Sequence, residues 1–399
     1  MTLGPGLNRT PLPKGFLTSG VNCGVRRYRP DVGLILSSVP ATAAGVYTQN
    51  LCAAAPVLYC RSVLPSKEVR ALITNSGQAN AATGDEGVEK NFLMAQAVAS
   101  GLGCSVKEVL TASTGVIGQH LDIEKITASV PELIARATES AEAFALAILT
   151  TDLIPKSVST TVRLSQGTVR ITGICKGSGM IHPNMATMLG YLLTDVALSP
   201  EEAQSLLQFS VDESFNMISV DGDTSTNDSV FLLANGASGV NLKAESDRAL
   251  FQSALLDVAQ HLAKSIARDG EGATKLIEVL VENAPEKLLA RRAARSITLS
   301  PLIKTAIHGE DPNWGRILAR LGAEQVPLPC LEKLTLKIQG TKVFADGKPV
   351  VFDREKVREK LKKDTVRVQI DLASGLATAT AWGCDLSKKY VDINAEYST

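Results

Sequence analysis

The chain has no excess of either charge: 41 Lys and Arg balance 41 Asp and Glu over 399 residues. That balance removes the electrostatic case for nucleic acid or an anionic membrane surface as the main partner, since both are held by a net basic face. A small-molecule substrate is the expectation. No uncharged apolar run approaches the roughly 20 residues that span a bilayer, and the N-terminus, MTLGPGLNRTPLPKGF, lacks a basic segment followed by an apolar one. A cytoplasmic protein is expected. The seven cysteines (Cys23, Cys52, Cys60, Cys104, Cys175, Cys330, Cys384) contain no C-x-x-C pair, and the four histidines (His120, His182, His261, His308) stand far apart without metal spacing. Free thiols are predicted, with neither a disulfide framework nor a zinc site. No G-x-G-x-x-G or G-x-x-x-x-G-K-[ST] follows a strand pattern, which argues against a Rossmann or P-loop nucleotide site.

What is present is an ordinary globular composition, 45% apolar and 21% charged, over a length that divides into two or more domains. VGLILSSV and VRALITNSG read as buried strands among short strands and turns in residues 1–80. Helices are expected over residues 85–100, with Asp85 as cap and Val88, Phe92, Ala95 and Val98 as the buried stripe, and over 131–149. Another starts at Ser199, where S-P-E-E supplies a cap, a first-turn proline and a capping box with Glu202. Residues 247–268 repeat apolar positions every fourth residue before the glycine-rich DGEGATK, which leads into the strand KLIEVLVE and then a helix. Beyond residue 325 come a hairpin, a charged helix at 353–364 and two alternating strands. Strands alternating with helices define an α/β fold of layered sheets flanked by helices, with a main domain over 1–282 and a smaller C-terminal α/β domain over 283–399 completing the site between them.

Six stretches are rich in Gly, Ser, Thr, Asn and Asp yet adjoin apolar runs: NSGQANAATG, TASTGVIG, KGSGMIHPNMATMLGYLLTD, ISVDGDTSTNDS, DGEGATK and HGEDPNWGRI. Any one alone reads as a surface loop. Six together point to a site. The third gathers Lys176, Ser178, His182, Asn184 and Thr187 just before a buried segment. A threonine hydroxyl is protonated at neutral pH and needs a base within reach. If Thr187 attacks the carbonyl of Ala186 and the bond between them breaks, the new α-amine, with a pKa of roughly 8, sits on the nucleophile's own residue and supplies that base. The hydroxyl of Thr114 and the backbone N–H of Gly115, in TASTGVIG, offer an oxyanion hole; a simple turn is the competing reading.

In this order, from LPKGFLTSGVNCGVRRYRPDVGLI through TTDLIPK, KGSGMIHPNMATMLGYLLTD and NMISVDGDTSTND to YVDINAEYST, the motifs resemble the glutamate N-acetyltransferase family of arginine biosynthesis, the ornithine acetyltransferases, over essentially the whole chain. The resemblance implies a self-cleaving fold cut between Ala186 and Thr187 into an α chain (1–186) and a β chain (187–399), assembled as an α2β2 heterotetramer. It implies ping-pong transfer of acetyl from N-acetylornithine to Thr187 and then to glutamate, without a cofactor, with acetyl-CoA as a second donor in bifunctional members. Carried over position by position, Thr114 and Gly115 resemble the oxyanion hole. Thr150 or Thr151, Lys176, Thr187, Glu271, Asn394 and Thr399 resemble the substrate-binding set. A lysine and hydroxyls suit an α-carboxylate, and Glu271 suits an ammonium. Gln78 and Ala82 depart from the family pattern outside these positions.

One residue reading stays open and one further motif is assigned. His182 either assists cleavage or is a satisfied structural histidine. Asp311, Asn313, Trp314 and Arg316 of DPNWGRI are assigned to packing and positioning. Two alternatives compete with the acetyltransferase: a related self-cleaving amidase or aminopeptidase that passes acyl groups to water, and a non-catalytic amino-acid binding protein.

Overall fold

The computed structural model describes residues 10–182 and 188–396. Ala186 and Thr187, the expected cleavage site and nucleophile, lie outside the described residues, as do Asn184 and Thr399.

The first strands in chain order are β1 (Phe16–Val21), β2 (Val32–Tyr47), β3 (Ser66–Gln78), β4 (Val109–Val116), β5 (Lys156–Leu164), β6 (Gly167–Lys176) and β7 (Leu189–Thr194). Then follow β8 (Ile218–Ser219), β9 (Ser229–Ala234), β10 (Leu276–Ala284), β11 (Thr335–Ile338), β12 (Thr341–Ala345), β13 (Lys348–Pro349), β14 (Thr365–Asp371) and β15 (Ala377–Cys384). Among the described residues they form two mixed sheets, one ordered β4-β3-β2-β9-β7-β6-β5 with β1 added to β2, the other β13-β12-β11-β14-β10-β15-β8. The architecture is therefore α/β with two sheets flanked by helices. The second sheet takes Ile218–Ser219 and Leu276–Ala284 as well as strands from the last quarter of the chain.

The helix Glu245–Arg268 joins the layers: it packs on β5 and β6 of one sheet and on β15, β10 and β8 of the other. Its buried positions Phe251, Leu255, Val258, Leu262 and Ile266 follow the helical period, so one face is apolar along its whole length. Of the fourth-residue positions Leu250, Ala254, Val258, Leu262 and Ile266 that the sequence spacing puts on that face, Leu250 is more than half exposed because it sits at the stripe's edge. The helix Pro200–Asp212 starts as its sequence requires, with the Ser199 and Glu202 side chains capping each other's backbone N–H groups.

Three expectations are corrected. Within the described part of residues 1–80 only β1, with 6 residues, is short as expected: β2 has 16 residues and β3 has 13. The helix expected over 85–100 spans Gly84–Leu102 and ends on left-handed Gly103. Its buried face is Asn91, Met94, Ala95, Val98 and Ala99, while Val88 and Phe92 are exposed. The helix expected over 131–149 is two short ones, Val130–Ala135 and Glu142–Ala147. Between them Thr138 exchanges backbone hydrogen bonds of 2.8 and 2.9 Å with Thr18, so strand-like pairing with β1 wins over the helix propensity of an alanine-rich segment.

Candidate active site

Two strand ends, two connecting segments and the C-terminal helix converge on one cavity of about 210 Å³. β4 brings Thr114 and Gly115, and β6 ends in Lys176. The loop before β5 brings Thr150 and Thr151. The turn after the long helix brings Glu271, and the C-terminal helix Lys388–Glu396 brings Tyr390 and Asn394. Every expected site residue within the described residues thus lines the same space.

The strand β4 runs parallel to β3, and their ladder becomes irregular where Gln78 faces both Thr114 and Val116. Gly115 sits there with φ +133°, and a Cβ on it would lie 2.2 Å from the carbonyl carbon of Gly77. Only glycine allows this approach, which leaves the chain bent away from the regular ladder at the cavity wall. Asn227 ties the two strand ends together: its Nδ2 donates to the carbonyls of Ala79 at 2.5 Å and Ser113 at 2.9 Å.

Lys176 is buried, and its ammonium lies 3.4 Å from the Thr114 hydroxyl and 3.9 Å from Asp152. Burial drives the Lys176 ammonium below the ordinary lysine range against the pull of Asp152. Asp152 is itself buried at the centre of a charge cluster. It accepts from Lys156 Nζ at 2.8 Å, from the N–H of Gly177 at 2.7 Å and from that of Thr150 at 3.1 Å. Lys156 also donates to Asp269 at 2.5 Å. Burial alone would raise the Asp152 carboxyl; the two lysine charges and these donors outweigh it and hold it below the usual carboxylate range. Two buried carboxylates and two buried ammoniums thereby cancel, which makes the cluster tolerable in a low-dielectric wall.

Glu271 is buried, its backbone N–H bonded to the carbonyl of Ser178, and its carboxylate accepts from Asn394 Nδ2 at 2.8 Å. The same rim carries Asp221, which accepts from the N–H groups of Met180 at 2.6 Å and Ile181 at 2.8 Å and so shapes the loop after Lys176. Asp228, next in sequence to the lining residue Asn227, is wholly buried, and its Oδ1 accepts the N–H of Met188, the residue that follows Thr187, at 2.7 Å. Burial pushes that carboxyl well above the ordinary range.

His182 hydrogen-bonds through Nδ1 to Ser219 Oγ and through Nε2 to Arg295, each at 3.2 Å. Arginine only donates, so Nε2 is the acceptor and the ring carries its proton on Nδ1. Burial and the Arg295 charge lower its pKa to about 4. The ring is therefore neutral with its lone pair engaged, which is the structural reading. Asn313 caps the helix Trp314–Ala323, Trp314 packs on Phe344 with ring centroids 5.3 Å apart and planes tilted by 33°, and Asp311 pairs with Arg354 at 2.9 Å. None of these lines the cavity, so DPNWGRI packs the second sheet. The Gln78 side chain accepts from the N–H of Asp122 at 2.9 Å, and its position shapes the wall only through its backbone.

The sequence reading missed Asp152, Lys156 and Asp269 as a unit, and also Asn227, Asp228 and Tyr390. All of them lie inside stretches already quoted, Tyr390 as the first residue of YVDINAEYST, and the four-residue spacing of Asp152 and Lys156 in TTDLIPK was the available signal. Tyr390 stands one helical turn from Asn394, so the same face carries both.

The fold and the cavity define a two-sheet α/β protein with a walled cavity lined by hydroxyl, ammonium and carboxylate side chains. A family model described as the ArgJ family matches residues 17–399, and the chain belongs to that family. A protein of Oceanobacillus iheyensis named arginine biosynthesis bifunctional protein ArgJ is 46% identical over 390 residues, covering 97% of this chain and 95% of the relative. Its namesake from Thermotoga neapolitana is 45% identical over 397 residues, 97% of this chain and 100% of the relative. A solved structure of the Bacillus halodurans protein of that name is similar at a TM-score of 0.51 and 42% identity, covering 53% of this chain and 100% of that one.

Proposed function

We propose that the protein transfers the acetyl group of N2-acetyl-L-ornithine to L-glutamate, through an acetyl ester on Thr187 that forms after the bond between Ala186 and Thr187 cleaves itself. The observation that carries this reading is the convergence of Thr114, Gly115, Thr150, Thr151, Lys176, Glu271 and Asn394, which are spread over 281 positions of sequence, on one cavity. Two contacts support placing the nucleophile there. Leu189 pairs with Lys176 across β6 and β7, and Met188 is held by Asp228, so the chain enters the described part of β7 beside the lysine. The length relation supports cleavage as well: residues 187–399 make up about 53% of the chain, the share matched by the whole of the Bacillus halodurans chain.

The steps balance without an external base. The Thr187 hydroxyl attacks the acetyl carbonyl while its proton passes to the free α-amine of the same residue. The tetrahedral oxyanion receives hydrogen bonds from the Thr114 hydroxyl and the Gly115 N–H. Collapse breaks the amide bond, the ornithine nitrogen takes the proton, and acetyl stays on Thr187. The amine of glutamate then attacks that ester and the same groups act in reverse. Lys176 and the threonines hold the α-carboxylate common to both amino acids, and Glu271 pairs with an ammonium. Thr399 joins this set, and the two chains assemble as α2β2. The word bifunctional in the relatives' names supports acetyl-CoA as a second donor to glutamate.

Thr187→Ala tests the reading: it should leave one uncut chain without transfer activity, whereas the natural sequence yields two chains, the second beginning Thr-Met-Leu-Gly. Labelled acetylornithine should leave acetyl on the second chain and then on glutamate. Full activity in uncut protein would overturn the proposal. Release of the label as free acetate, with none on glutamate, would favour an amidase instead.

A further inference from the structure

The segment that carries Thr150 and Thr151 has no ladder of its own, since it lies between the helix Glu142–Ala147 and β5. Its conformation must come from contacts made to it. One is the Ser76 hydroxyl, which donates to the carbonyl of Ala147 at 2.7 Å. Another is Asp152, whose Oδ2 accepts the N–H of Thr150 at 3.1 Å. The third comes from Arg26, distant in sequence, whose guanidinium donates Nη1 to the carbonyl of Leu149 and Nη2 to that of Thr150, the latter at 3.3 Å. Thr150 is thus fixed through both its backbone N–H and its carbonyl while it lines the cavity.

Arg26 is itself anchored to the opposite wall. Asp31 is wholly buried; its Oδ2 accepts the N–H of Arg26 at 2.8 Å and its Oδ1 that of Cys23 at 2.7 Å. The carbonyl of Asp31 accepts the N–H of Ser76 at 2.7 Å, at the end of β3. That end of β3 lies against Gly115. The arginine therefore ties the wall that presents Thr114 and Gly115 to the loop that presents Thr150 and Thr151.

We propose that Arg26 is a positioning residue, which sets the distance between the oxyanion wall and the substrate-binding threonines. A planar guanidinium reaches two successive carbonyls at once, which a lysine ammonium does not reproduce. These hydrogen bonds hold the backbone of the substrate-binding loop, so removal of Arg26 acts on binding more than on the chemical step. The activity readout rests on the proposed acetyl transfer; hydrogen exchange does not.

In Arg26→Ala the amides of residues 149–153 should exchange faster than in the natural protein. KM for donor and acceptor should rise about 10-fold or more, the scale of losing hydrogen bonds to a charged group, with kcat within a few fold and the two-chain pattern kept. Guanidinium at millimolar concentration should lower KM again, and Arg26→Lys should resemble Arg26→Ala. If Arg26→Ala does not fold, Arg26→Gln carries the same measurements. Unchanged exchange at 149–153 overturns the inference, as does unchanged KM in an active protein or full activity in Arg26→Lys. A natural protein that moves no acetyl would instead overturn the proposed function, while exchange still judges the clamp.

Discussion

The Lys176 ammonium lies 3.4 Å from the hydroxyl oxygen of Thr114, inside the wall of the cavity. An ammonium only donates, so the Thr114 oxygen is the acceptor and its own hydrogen is left to point elsewhere. In the proposed reaction it points at the oxyanion. Lys176→Met should therefore lower kcat as well as raise KM, because it removes both an anion partner and the group that orients Thr114.

The pH profile follows from Lys176 together with the α-amine of Thr187. The α-amine of Thr187 must be unprotonated to act as base, so activity should rise with pH through roughly 8. Lys176 must be charged to bind a carboxylate, and burial has moved it below the ordinary lysine range. The alkaline limb should thus fall before about 10.4, the ordinary lysine value. A rate of kcat/KM that stays flat up to that pH would contradict the buried environment assigned to Lys176.

Gly115→Ala places a Cβ 2.2 Å from the Gly77 carbonyl carbon and 2.5 Å from the Gln78 nitrogen. Backbone, not a movable side chain, must give way, and the N–H of residue 115 moves with it. Loss of one oxyanion donor costs on the order of 100- to 1000-fold in kcat. Steady-state kinetics should show that loss with KM changed by much less; equal effects on both would mean that Gly115 shapes binding and not the transition state.

Asp152→Asn leaves Lys156 and Lys176 with one buried carboxylate between them in place of two. Breaking a buried ion cluster costs about 3–5 kcal/mol, which denaturant titration would resolve. The sign with pH is fixed by the depressed carboxyl of the folded protein. Its stabilisation is fully present above the unfolded value of about 3.9 and is lost as pH falls toward the folded value. The difference between the natural protein and Asp152→Asn should therefore shrink below about pH 4.

His182 supplies a fifth expectation. Its ring is neutral, with Nε2 taken by Arg295, and its pKa is lowered to about 4. His182→Gln should leave self-cleavage within a few fold of natural, and the pH dependence of cleavage should show no inflection near 6.5, the ordinary histidine value. A variant that remains uncut would return His182 to the cleavage machinery.

Much of the fold is legible in residue order because its signals are local. The capping box at Ser199 and the apolar period of residues 247–268 are determined within a few neighbours; the first appears as read, and the second does so at Val258, Leu262 and Ile266 but not at Leu250. The failures are non-local. Alanine-rich residues 131–149 favour a helix by propensity, but Thr138 finds a strand partner in Thr18, which no local window contains. Val88 and Phe92 look like a core stripe, yet tertiary packing buries Asn91 and Met94 on a face rotated from them. At the site, loops rich in glycine and hydroxyls were visible as stretches, whereas the pairing of Lys156 with Asp269, 113 positions away, exists only in the fold.

The C-terminal helix separates stability from function. None of the residues in Lys388–Glu396 is buried, so its removal exposes little apolar surface and should shift the unfolding midpoint only slightly. Yet Asn394 donates to the Glu271 carboxylate at 2.8 Å, and Tyr390 lines the cavity with it. A chain ending at Ser387 should therefore fold and cleave normally but bind both amino acids poorly, with KM raised about 10-fold or more, the scale of a lost charge-assisted hydrogen bond. Asn394→Ala should reproduce part of that rise, because it frees Glu271 from the orientation that the amide imposes. If the shortened chain instead loses most of its stability, the helix is part of the core and not a binding element. If it keeps natural KM values, Glu271 needs no partner to hold substrate, and the tail plays no part in the site.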